Sequence, residues 1–233
     1  MQTEQFKKNP VDFVAEQGGS YAFVLGIDLN GLKSVEIYKW FLAALLYGAR
    51  ISEKIATHTW QVFKKHHVMS PRQVISAGWD GLVALLDEGG YTRYDFKTAT
   101  KLLAVNQSLL SDYDGNLNQL HAAASDARVL ERRIMALGKG VGKVTTQIFL
   151  REMRGRWRHA KPALSPLAWR AAEVMGYLAK HVENDARALE QLQIIWSNTN
   201  QAANKFPDFE AALVRYGLHL RHQGKRATQS ITV

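Results

Sequence analysis

The sequence predicts an all-α fold. Apolar residues recur at intervals of three and four along most of the chain, and alternating β-branched runs of strand length are scarce. Capping residues open the periodic stretches and glycines close them.

Taken in order, "VEIYKWFLAALLYG" predicts a helix over 34–48 and "SEKIATHTWQVFKKH" one over 52–66. Ser70-Pro71, an N-cap followed by a proline that suits the first helical position, opens 71–77; a helix over 79–87 follows and stops at Gly89-Gly90. A long helix over 92–112 ends at Gly115, and Asp126 caps 126–137, which stops at Gly138. Helices over 142–153, 166–181, 185–197 and 207–221 complete the set, the second of these opened by Ser165-Pro166. No long Pro/Ser linker, low-complexity tract or repeat interrupts the chain. The charged loop "RGRWRHAKPAL" at 154–164 marks the break. This gives a central helical domain over 34–153 and a second helical lobe built from 1–33 and 154–233.

Composition narrows the function. The chain has 233 residues, 46% of them hydrophobic, enough for a sizeable core. It has no cysteine, which excludes disulfides, thiolate-held iron–sulfur clusters and cysteine-type zinc sites. Eight histidines include no HExxH arrangement, and the pairs His66-His67 and His219/His222 read as exposed helix ends. "MQTEQFKKNP" lacks the apolar region of a signal peptide, and the longest apolar run, Trp40–Ala49, is too short to span a bilayer, so a soluble, cytoplasmic protein without membrane contact is expected. The formal net charge is +9. Nine basic residues (Arg132, Arg133, Lys139, Lys143, Arg151, Arg154, Arg156, Arg158 and Lys161) face one acid, Glu152, between 132 and 161, so nearly all the excess charge lies in one segment. That is the footprint of a polyanion, where phosphate neutralisation supplies binding energy, or else a solvated basic face. "RHQGKRATQSITV" adds charge on an expected frayed tail.

The segment "ALGKGVGKVTTQIFLRE" (136–152) concentrates the question. It is not a P-loop, because Leu137 stands where the first glycine belongs and Val144 follows Lys143; nor is it a dinucleotide fingerprint, because the glycines are evenly spaced with no strand before them. A helix, a tight turn and a second helix fit. In this reading Gly140 and Gly142 turn the chain with positive φ, amides at the start of the second helix, through Thr145, point at an anion, and Lys139 and Lys143 add charge. A plain helix connection fits the same glycines.

The segment resembles the hairpin of the helix-hairpin-helix DNA glycosylases, the superfamily to which endonuclease III belongs. That hairpin commonly reads LPGVG before a helix, and "GKGVGKVTTQIFL" matches it with Gly138 and Lys139 in place of Leu and Pro. "FLAALLYGARISEKIATHTWQVF" is similar to the family's early helix pair, whose turn faces DNA; "GWDGLVALLDEGGYTRYDFKTATKLLAVNQSLL" resembles its Gly-aromatic turn and long helix; "PLAWRAAEVMG" resembles the helix after the catalytic aspartate. The resemblance implies a two-lobed all-α fold, a monomer that binds double-stranded DNA in a cleft, and recognition of a damaged or modified base. No cofactor is expected: the iron–sulfur cysteines are missing, and a monovalent cation at the hairpin is compatible with the motif.

The departures bear on chemistry. Val144 occupies the place of the family's Schiff-base lysine, and Lys143, one residue early, points about 100° away on a helix, so lyase activity is not expected. Ser165 aligns with the catalytic aspartate, and a serine carries no charge to stabilise an oxocarbenium-like sugar. Glu53, Glu152 and Glu173 remain as carboxylates that could substitute. At the DNA-facing turn, Arg50 or Tyr47 could fill the space of an extruded base, although helix packing also accounts for Tyr47. Trp40, Trp60, Trp79, Trp169 and Trp196 read as core; Trp157, between Arg156 and Arg158 in the basic loop, reads as a contact to sugar or base. Three readings follow: base excision with a non-standard site, a catalytically silent DNA-binding module, and a helical protein-interaction scaffold.

Overall fold

The computed structural model describes residues 7–179 and 181–229, with side chains up to 223. Twelve α-helices are described: α1 Pro10–Gln17, α2 Tyr21–Val24, α3 Ser34–Tyr47, α4 Glu53–Lys65, α5 Pro71–Glu88, α6 Asp95–Tyr113, α7 Leu117–Ala122, α8 Ala127–Ala136, α9 Lys143–Met153, α10 Pro166–Met175, α11 Asp185–Ser197 and α12 Phe206–Gln229. A 3-10 turn, Ala203–Lys205, precedes α12, and no strand occurs among the described residues.

Side-chain caps start the helices where the sequence predicts them. Ser52 accepts from the Ile55 amide, Ser70 from Gln73, Asp126 from Val129, Ser165 from Ala168, and Asn184 from both Ala186 and Arg187. The predicted pair 71–77 and 79–87 is one kinked helix, α5, because Gly78 alone leaves helical geometry at φ 68°, ψ 177°. α10 stops at Gly176, in the left-handed region at φ 76°, and does not reach 181. α1, α2 and α7 are too short to announce themselves by period. The basic tail predicted as frayed continues α12 as far as Gln229; its side chains from 224 onward and residues 230–233 lie outside the described residues.

The chain divides into two compact units, Leu25–Lys161 and Met1–Val24 with Pro162–Val233. Residues 25–33 and 154–161 belong to the central unit rather than to the carboxy-terminal helices. Their hydrogen bonds give the reason: Asn118 donates to the Leu32 carbonyl and accepts from the Trp157 indole, and Arg156 reaches Asn30. Within this unit α3 is the axis, buried almost all round through Ile37, Trp40, Phe41, Leu42, Leu45 and Leu46. The Trp40 indole donates to the Phe149 carbonyl of α9 at 3.0 Å, and the Tyr38 hydroxyl to Asn106 of α6 at 2.6 Å, so α3 is pinned on both sides.

In the other unit, Phe13, Tyr177, Trp196 and Phe209 form a ring-on-ring core, with Trp196 and Phe209 stacked at 5.6 Å. α12 presses on α10 where Gly217 leaves no room for a side chain beside the Leu167 backbone. Arg215 holds the segment before α2 by donating to the carbonyls of Gly18 and Gly19 while stacking over Tyr21.

Two tryptophans differ from expectation. Trp79, the residue after the Gly78 kink, is 39% exposed and packs at a tilt on exposed Phe96 at 5.2 Å. Trp157 is a core residue, 3% exposed, stacked on His121 at 4.6 Å with its indole bonded to Asn118; a loop that looks solvated in sequence is folded inward by its own aromatic. Among the described residues, no helix is long and apolar enough to cross a membrane.

Candidate nucleic-acid interface

α8 and α9 are joined by a tight hairpin, Leu137 to Gly142. The Val141 amide returns to the Gly138 carbonyl at 3.1 Å, and Gly140 between them has φ 94°, where only glycine is comfortable. Gly142 does not share that geometry. Its φ is −99° and ψ −179°, extended backbone open to any residue, which corrects the expectation that both glycines turn with positive φ. The hairpin's second required glycine is instead Gly138, where a Cβ would stand 2.8 Å from Val105 Cγ2 of α6.

Gly142 is the N-cap of α9 and offers no side chain to its first amides; Thr146 is the first residue to close back, onto the Gly142 carbonyl at 3.1 Å. The amides of Lys143, Val144 and Thr145 therefore have no intrahelical acceptor. Lys139 and Lys143 are both exposed beside them. Cations at a helix N-terminus oppose the helix dipole, an arrangement that an anion bound between them would relieve. Thr145 offers this end of the helix only its backbone amide. Its side chain is buried against Gly48, the C-cap of α3, so close that a Cβ on Gly48 would lie 2.9 Å from Thr145 Cβ.

That contact seats the α3–α4 turn, Gly48 to Ser52, against the start of α9. Arg50 is exposed at its tip. Tyr47 is not a wedge: it is half-buried, its hydroxyl bonded to Thr57 at 2.7 Å and its ring 6.5 Å from that of Trp40, which leaves packing as its role. Because the chain leaves α3 early, the Ala49 amide goes to Leu46 O and the Leu45 and Leu46 carbonyls gain side-chain donors, Lys101 Nζ at 2.9 Å and Tyr91 hydroxyl at 2.8 Å. Burial lowers the Lys101 ammonium pKa to about 8 and raises that of the Tyr91 hydroxyl.

The basic segment is thinner than its sequence. Arg151 and Arg154 are buried; Arg133 donates to the Tyr113 hydroxyl, and Arg156 folds back onto the Glu152 carbonyl at 2.8 Å. Exposed are Arg132, Lys139, Lys143, Arg158 and Lys161.

A solved structure of H. pylori 3-methyladenine DNA glycosylase (MagIII), bound to 1,N6-ethenoadenine, superposes on this chain with a TM-score of 0.53 and 11% identity, covering 91% of this chain and 98% of that one. The fold is that of a helix-hairpin-helix DNA glycosylase. No family model and no curated relative matches the sequence.

On this glycosylase fold the candidate carboxylates have different surroundings. Glu152 is fully buried inside α9, with Arg151 Nη2 3.8 Å away, and cannot meet a substrate; the reason is that its position in α9 faces the core. Glu53 lies in the first turn of α4 at an open hollow with Lys54, Thr57, His58 and Gln61. Glu173 accepts from the Trp169 indole at 2.8 Å. Ser165 Oγ accepts from the Ala168 amide, serving as the cap of α10. Val144 is 60% exposed. Sequence reasoning missed Gly48 and Lys101, and read Gly138 as a helix stop without the close approach to Val105 that it allows. The signal for Lys101 was present: it falls on the stripe of Thr98, Leu102 and Val105, the buried face of α6, where a charge needs a partner.

Proposed function

We propose that this chain binds duplex DNA as a monomer and recognises a damaged or modified base, excising it by a route that uses no Schiff-base lysine. The observation that carries the reading is the α9 N-terminus: three amides without side-chain caps, behind a left-handed glycine, between two exposed lysines. Arg50, exposed in the turn that the Gly48–Thr145 contact seats against the start of α9, supplies the group that occupies the space of an extruded base. The glycosylase fold supports DNA as the partner. Glu53 is the half-exposed carboxylate of this unit nearest Arg50 in sequence and is the candidate for sugar stabilisation.

A second reading, DNA recognition without excision, is favoured by one observation: Ser165 is engaged as a helix cap and Glu152 is sealed in the core. Incubation with duplexes carrying a panel of damaged and modified bases separates the two. Abasic sites formed above background, and lost in Glu53→Gln, support excision; tight binding to a lesion without abasic sites supports the silent module. In either case borohydride is expected to trap no covalent adduct through Val144 or Lys143, and a trapped adduct at Lys143 would overturn that part of the reading.

A further inference from the structure

α6 is the base on which the hairpin rests. Two residues one turn apart on the same face, Lys101 and Val105, each meet a hairpin glycine: a Cβ on Gly140 would stand 3.3 Å from Lys101 Cδ, and one on Gly138 would stand 2.8 Å from Val105 Cγ2. The Lys101 stem thus lies against the left-handed glycine, while its ammonium extends past it to the Leu45 carbonyl in the last turn of α3. That carbonyl needs a donor because the Ala49 amide has turned to Leu46. One side chain therefore touches both segments that flank the exposed amides, the hairpin from below and the helix that carries the Arg50 turn.

We infer that Lys101 is the positioning residue of the α9 anion site, tying the hairpin to the end of α3 that carries the Arg50 turn through its ammonium on the Leu45 carbonyl. The inference rests on the reading of the hairpin as a phosphate site. A cation at a helix C-terminus is electrostatically favoured, which explains why a lysine is tolerated on the buried stripe of α6. Valine or leucine there would fill the space but leave the Leu45 carbonyl without a donor. The charge is titratable in an accessible range, because burial alone brings the ammonium to about 8. Around it, Tyr91 on the adjoining carbonyl is held neutral by its burial, and the other charges of the hairpin are Lys139 and Lys143 on the exposed side.

The test measures affinity for an undamaged duplex from pH 6.5 to 9.5 in wild type, Lys101→Met, Lys101→Arg and Lys143→Ala, with folding checked by circular dichroism. Wild-type affinity is expected to decline through a step near pH 8. Lys101→Met should bind about tenfold more weakly at pH 7, because the charge-assisted tie between the hairpin and the Leu45 carbonyl is lost, and should lack the step. Lys101→Arg should restore affinity and also lack the step, since guanidinium does not titrate there. If Lys101→Met binds as wild type does, or if a folded Lys101→Arg keeps the step, the inference is overturned. Should Lys101→Met not fold, Lys101→Arg alone decides. Failure of the underlying reading looks different: wild type and Lys143→Ala would then show the same affinity, whatever happens at Lys101.

Discussion

Gly48 and Thr145 meet with no space for a side chain between them, so the end of α3 and the start of α9 are in direct contact. Gly48 has φ −72°, an ordinary helical value, so its glycine is required by space and not by backbone conformation. Gly48→Ala is therefore expected to destabilise the protein by about 1–3 kcal/mol through overpacking, measured by urea denaturation. Thr145→Ala, which removes the hydroxyl that would stand nearest the added Cβ, should relieve part of that loss in the double variant. Additive effects of the two changes would show that they do not act at one contact.

Gly140 and Gly142 should respond in opposite ways. Gly140→Val places a β-branched residue at φ 94° and should cost on the order of 1–3 kcal/mol of stability. A Cβ on Gly142 meets no protein atom within 4 Å, so Gly142→Val should lower the melting temperature only modestly, by what a β-branched residue loses at an N-cap. Its DNA affinity should nonetheless fall by more than that of Arg132→Ala, because the new side chain enters the space in front of the amides. Wild-type affinity in Gly142→Val would show that nothing binds there, and that the hairpin only connects two helices.

DNA affinity should depend on salt through the exposed cations alone. Three to five of Arg132, Lys139, Lys143, Arg158 and Lys161 in contact with phosphates would give a log–log slope of roughly −2.7 to −4.5, at about −0.9 per phosphate. Arg151→Ala and Arg154→Ala should leave that slope unchanged and lower stability instead, because both side chains are buried. Lys143→Ala should reduce the slope and weaken all duplexes alike. A slope near zero in the wild type would remove the basis for a polyanion partner.

His121 predicts a pH effect on stability. Burial, then the neighbouring His159, holds its imidazole below the usual histidine range while it stacks on Trp157. The unfolded chain takes up the proton first, so the contribution of His121 is complete above the unfolded value of about 6.5 and is lost as pH falls below it. Melting temperature should fall between pH 7 and 5, and His121→Phe, which keeps a ring on Trp157, should flatten the fall. An unchanged pH dependence in that variant would place the effect elsewhere.

The all-α class, most helix starts and the hairpin were legible in the sequence because their causes are local. Period, caps such as Ser70, Asp126 and Ser165, and the Gly-Lys cluster at 138–143 each act within a few residues. Side-chain placement in the basic segment was not legible. Nine cations read as one surface, yet burial withdraws Arg151 and Arg154, and internal acceptors engage Arg133 and Arg156. Trp157 turned inward for the same kind of reason: Asn118 and His121, far away in sequence, supply the partners that make its burial favourable. What the sequence by itself determined was the set of helices and the turn with free amides. Only the tertiary structure decided which glycine needs its conformation, which needs its smallness, and that Lys101 lies beneath the turn, because those depend on Val105, Thr145 and the Leu45 carbonyl, which folding brings to it across long stretches of chain.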